Sequence, residues 1–161
     1  MNAILDFCRD LPERTYRPDE IWLVEGWRSG LLYVLIDGRV EIRKGSFQIH
    51  VESEPGAVFG EVSALLDIPH TATVKTLTTT RACVIGNADA FLKSHQEFSY
   101  VIAKLLAKRL YGVTTYLVDL KAQFEGRKDH LGMVDSVLET LLHQQDQRFS
   151  PGSDRCPDPK I

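Results

Sequence analysis

The chain has 161 residues, 43% of them apolar and 25% charged, and a net charge of −3. That suits one soluble globular domain large enough to bury a core. The slight negative balance gives no general attraction to nucleic acid or anionic membrane, and no apolar run approaches the roughly 18–20 residues of a membrane span.

The opening stretch MNAILDFCRDLPERTYR lacks a basic start followed by an apolar core, so a secretory signal is not expected. It reads as a short amphipathic helix with Ile4, Leu5 and Phe7 on one side. The cysteines, Cys8, Cys83 and Cys156, are odd in number and far apart. They form neither a metal-ligand pattern nor a disulfide framework, which predicts free thiols in a reducing cytoplasm.

Residues 14–86 read as strands. TYRPDEIWLVEG holds a Pro-Asp turn before a β-rich run. LLYVLIDGRVEIRK alternates around Asp37-Gly38, which predicts a hairpin. SFQIHVES sets Phe47, Ile49 and Val51 against polar neighbours, EPGAVFG carries a second turn, and TATVKTL and ACVIG are β-branched runs. Short strands separated by turn glycines predict a small antiparallel barrel or jelly roll.

After Gly86 the period changes. NADAFLKSH predicts a helix capped by Asn87, with Phe91 and Leu92 inward. A proline-free helical run covers 98–125, and Leu106, Leu110, Val113, Leu117, Leu120 and Phe124 recur at heptad spacing. That seam predicts a homodimer. A further amphipathic helix is expected over 126–145, with Leu131, Val134, Leu138, Leu141 and Leu142 on its apolar side, and a disordered tail over 146–161.

The chemistry concentrates in FGEVSALLDIPHTATV, residues 59–74. Gly60 permits close backbone approach, and the free N–H groups opening a helix at Glu61 suit an anion. Glu61 is out of place beside an anion alone but suits sugar hydroxyls. A sugar and a phosphate held together describe a cyclic nucleotide. Read alone, Glu61 is equally a carboxylate favoured at a helix start, and Thr71 an ordinary strand residue.

TYRPDEIWLVEG, LLYVLIDGRVEI, EPGAVFGE and PHTATV carry Gly26, Gly38, Gly56, Gly60 and Glu61 in order. The set resembles the cyclic-nucleotide-binding domains of catabolite-activator-type regulators, kinase regulatory subunits and gated ion channels, over roughly residues 15–120. The resemblance implies an α+β fold: an antiparallel β-roll, jelly-roll-like, with an N-terminal helix, a cassette helix and C-terminal helices, together filling residues 1–125. It implies that Glu61 takes the ribose 2′-hydroxyl and that Thr71 helps bind phosphate or base. The implied site comprises Val58, Phe59, Gly60, Glu61, Val62, Ser63, His70, Thr71 and Ala72, with Thr114 of the long helix reaching the base.

The family's phosphate-pairing arginine falls at His70. Histidine is neither permanently charged nor bidentate, so the expectation is weaker binding of cAMP or cGMP that strengthens at low pH. A different small ligand, or a silent barrel acting through its C-terminal helices on an unknown protein partner, are the alternatives. A winged helix-turn-helix needs about 70 residues, and its recognition helix enters the major groove. The residues after Gly126 are fewer and not basic, so no DNA partner is expected, and no membrane partner either. His50, His70, His95, His130 and His143 form no metal motif, and Ser63 sits in no nucleophile elbow. Catalytic residues, metal and cofactor are therefore not expected.

Overall fold

The computed structural model describes residues 3–123, together with Val134 and Leu138, both helical. Phe124, the rest of the expected helix over 126–145 and the tail over 146–161 lie outside the described residues. The chain divides into two compact units, Met1–Lys104 and Leu105–Ile161, each described by itself.

The first unit opens with α1 (Ala3–Cys8), followed by β1 (Glu13–Tyr16), β2 (Ile21–Leu23), β3 (Leu32–Asp37), β4 (Val40–Lys44), β5 (Phe47–Glu52) and β6 (Val58–Phe59). Then come α2 (Glu61–Leu66), β7 (Thr73–Thr76), β8 (Thr80–Ile85), α3 (Ala88–Ser94) and the start of α4 (Gln96–Gln123). The strands form two antiparallel four-stranded sheets, ordered β1-β8-β3-β6 and β2-β7-β4-β5. This is the expected α+β roll. Its core is aromatic: Trp22 stacks on Tyr33 at 4.8 Å, and Tyr16 and Phe59 meet Trp22 edge-on. Leu35, Val40, Val74 and Ala82 complete the cluster.

The expected hairpin at Asp37-Gly38 does not form. β3 pairs with β6 and β8, whereas β4 pairs with β5 and β7, so the chain changes sheets at this turn. The reason lies in the neighbouring β7–β8 corner. Arg39 N–H donates to Thr78 Oγ1 at 3.0 Å, and Leu77 N–H donates to Arg39 O at 2.8 Å, locking the two crossings side by side. Gly38, at φ 106, packs so closely that a Cβ would lie 2.7 Å from Thr80 Cα. The hairpin is instead β4–β5, closed at Gly45-Ser46, with Lys44 opposite Phe47. The inward alternation expected of β5 also fails. β5 is an edge strand whose register shifts between Ile42 and Arg43, and Phe47 and Ile49 are 77% and 58% exposed.

Beneath the first sheet, α1 buries Ile4 and Cys8. Phe98, at the start of α4, meets Phe7 and Phe91 edge-on at 5.5 and 5.3 Å. α3 is capped as its sequence predicts, Ala90 N–H donating to Asn87 Oδ1. Cys8 and Cys83, 75 residues apart, meet here as buried free thiols, Cys83 Sγ lying 3.5 Å from Cys8 O. Burial pushes the Cys8 thiol up to about 12 and raises that of Cys83, which makes both poor nucleophiles.

The Gly38 contact makes a testable statement. Gly38→Ala should destabilise by about 2 kcal/mol or more, since positive φ and a backbone clash act together. Gly45→Ala, at φ 56 with open space around its Cβ, should lose only about 1 kcal/mol. Denaturant melts that rank the two equally would remove the sheet-crossing argument.

Candidate functional site

The cassette begins where β6 ends. Val58 and Phe59 pair with Val34 and Tyr33, and both are buried. Gly60 then turns the chain at φ 94. A Cβ there would sit 2.5 Å from Leu31 O, so only glycine brings α2 this near the start of β3. α2 runs for six residues and stops at Asp67, which adopts the left-handed conformation while its N–H bonds Ser63 O.

The loop between β2 and β3 closes over the cassette. Gly26 N–H donates to His70 O and His70 N–H donates to Trp27 O, both at 2.9 Å. These two bonds fix the place of His70, a residue only 5% exposed. Ser29 N–H donates to His70 Nε2 at 3.2 Å, and Ser29 Oγ lies 2.7 Å from the same nitrogen. Ser63 Oγ lies 2.8 Å from Nδ1 and donates to Gly60 O at 3.0 Å.

The proton positions follow. A backbone N–H can only donate, so Nε2 must present a lone pair. The proton of the neutral ring is then on Nδ1 and is given to Ser63 Oγ, whose own proton goes to Gly60 O. Leu31 N–H donates to Ser29 Oγ at 3.2 Å. A neutral ring accepting at Nε2 suits Ser29 N–H, whereas an imidazolium would face it with an N–H of its own. Burial also lowers the His70 pKa from its ordinary 6.5. In this arrangement both ring nitrogens of His70 are engaged within the protein, and burial disfavours its cationic form.

A fixed charge stands nearby on a residue the sequence reading passed over. Arg28 reaches α2's end, Nη1 at 2.6 Å from Asp67 Oδ1 and Nη2 donating to Asp67 O at 2.8 Å. Arg28, Ser29, Gly60, Ser63, Asp67 and His70 line a cleft of about 260 Å³, walled on its far side by Asn87, Ala88 and Asp89 where α3 begins. Asp89 is paired with Lys93 at 2.7 Å. The glycine-flanked loop WRSG, just after the Gly26 turn, was the available signal for Arg28 and Ser29.

The remaining predicted residues fall as follows. Gly60, Ser63 and His70 come together in the cleft. Glu61 is buried on the first turn of α2, Val62 is half-buried, Thr71 is exposed and Ala72 is half-buried ahead of β7. Thr114 lies on α4 within the second unit. Among the described residues, no three His, Cys, Asp or Glu side chains group so as to hold a metal ion, and no helix is long and apolar enough to cross a membrane.

The sequence profile of the cyclic nucleotide-binding domain matches residues 13–96, and the chain belongs to that family. The fold is shared with solved structures. Thermus thermophilus catabolite activator protein superposes with a TM-score of 0.58 at 20% identity, over 89% of this chain and 82% of that one. The N-terminal domain of a transcriptional regulator from Streptomyces coelicolor A3(2) gives 0.51 at 26% identity, over 68% and 82%. cAMP-bound PfPKA-R (141-441) gives 0.54 at 24%, over 68% of this chain but 37% of its own length. The chain thus spans little more than a third of that last protein.

The neutral ring sets a pH dependence. A histidine whose folded pKa lies below its unfolded value binds fewer protons when folded, so stability is complete above the unfolded value of 6.5 and declines as pH falls below it. The melting temperature should drop between about pH 7.5 and about pH 5.5, and His70→Gln, which has nothing to titrate there, should flatten the slope. An unchanged slope in the variant would show that other groups set it.

Proposed function

We propose that this chain is a regulatory module that binds a cyclic nucleotide, cAMP or cGMP, in the Gly60–Thr71 cassette, and that it is not an enzyme. One observation carries the reading: every residue lining the cleft, from Arg28 to Asp89, falls inside the segment 13–96 that matches the family. The cAMP-bound fold neighbour supports the same ligand class. Glu61 as the acceptor of ribose hydroxyls and Thr71 as a phosphate or base contact belong to the proposal.

Binding is weak because residue 70 offers no permanent cation. A charge-assisted bond to a phosphate contributes roughly 1.5–3 kcal/mol, about ten- to a hundred-fold in affinity. The output would pass first through α3, because Asn87 to Asp89 line the cleft that the ligand fills. Such a change regulates only if the ligand binds two arrangements of α3 with different affinity.

The second unit supports self-association. Leu110 and Val113, successive seam positions of α4, are 46% and 52% exposed. Leu106, Leu117 and Leu120 are half-buried along the same stripe. A homodimer through this stripe is part of the proposal, as is a protein partner that reads it. A cytoplasmic setting without DNA or membrane contacts completes it.

Calorimetric titration with cAMP and cGMP tests the ligand. Saturable binding is expected, and His70→Arg should tighten it about ten-fold. Flat titrations at millimolar ligand for both proteins would reassign the cassette. For the dimer, Val113→Glu should convert the sedimenting species to monomer; an unchanged mass removes the seam.

A further inference from the structure

We infer that Arg28, from the β2–β3 loop, is the residue that meets the ligand's phosphate, and that Asp67 holds its guanidinium at the cleft until the ligand displaces it. This inference rests on the nucleotide reading and names the cation of that same site.

The local chemistry leaves one candidate. Both ring nitrogens of His70 are already engaged, Nε2 by Ser29 N–H at 3.2 Å and Nδ1 by Ser63 Oγ at 2.8 Å. Arg28 contributes the only guanidinium or ammonium group on the cleft's lining, and that lining is made of described residues. Its contacts with Asp67 use two of the five N–H donors of a guanidinium, leaving three for an anion. The planar fork suits two phosphate oxygens at once.

Asp67 is a suitable resting partner because it is easily left. Its side chain is 96% exposed and that of Arg28 56%, so their ion pair is screened by water and holds the arginine only lightly. The backbone of Asp67 is fixed in the left-handed region at the end of α2, which keeps the carboxylate beside the cleft. A phosphate entering between Gly60 and His70 would take over the guanidinium and leave Asp67 to water. The same ion pair ties the β2–β3 loop to α2, so the exchange also loosens that tie when ligand arrives.

The two partners therefore predict opposite signs. In titrations of the full chain with cAMP, Arg28→Gln should weaken binding about five- to ten-fold. Asp67→Asn, which tolerates the same backbone conformation, should tighten it about two- to five-fold by freeing the arginine. Weaker binding in both variants would mark the pair as a loop clasp and overturn the inference. So would unchanged affinity in Arg28→Gln while the wild type binds, and that outcome leaves the nucleotide reading intact. No binding by the wild type overturns both.

Discussion

The hydrogen bond from Ser29 N–H to His70 Nε2 is the constraint on which the site depends. It joins two segments 41 residues apart and presents Nε2 of the ring as an acceptor. Because a backbone amide has no alternative to donating, the ring must accept, and the other nitrogen must carry the proton. From that follow the orientation of Ser63, the satisfaction of Gly60 O and the seat of the β2–β3 loop against α2. The network is only partly buried, and its most enclosed member is His70.

The same constraint moves the electrostatics of the cassette. A family member with arginine at position 70 would carry its charge on the cassette itself. Here that position is filled by a neutral ring, and the charge stands on the rim, on Arg28 beside Asp67. A rim charge is exposed and screened, so it steers and holds an anion less tightly than a buried one.

Much of the fold was legible because it rests on local rules. Gly60 declares a close approach, and the structure supplies the reason in Leu31 O. Asn87 declares a helix start and caps Ala90. The Asp37-Gly38 signal misled, because turn chemistry reports a change of direction and not which strand will be the neighbour. The pairing was decided by Thr78 and Thr80, some forty residues on. β5 misled for a related reason: alternation says that two faces differ, but an edge strand with a register shift leaves its apolar residues exposed. His70 was legible as an anomaly and not as a state. Its partners Ser29 and Ser63 come from separate segments, and Arg28 went unmarked because it lies in a loop with no period to single it out.

The account's central claim is the neutral, Nδ1-protonated ring of His70. Nitrogen-15 NMR of histidine-labelled protein reads it directly, near neutral pH, with and without cAMP. The predicted result is a neutral His70 with its proton on Nδ1 that shifts when the nucleotide is added but gains no second proton. A ring protonated on Nε2, or one that becomes an imidazolium on binding, would contradict the account and return the phosphate charge to position 70.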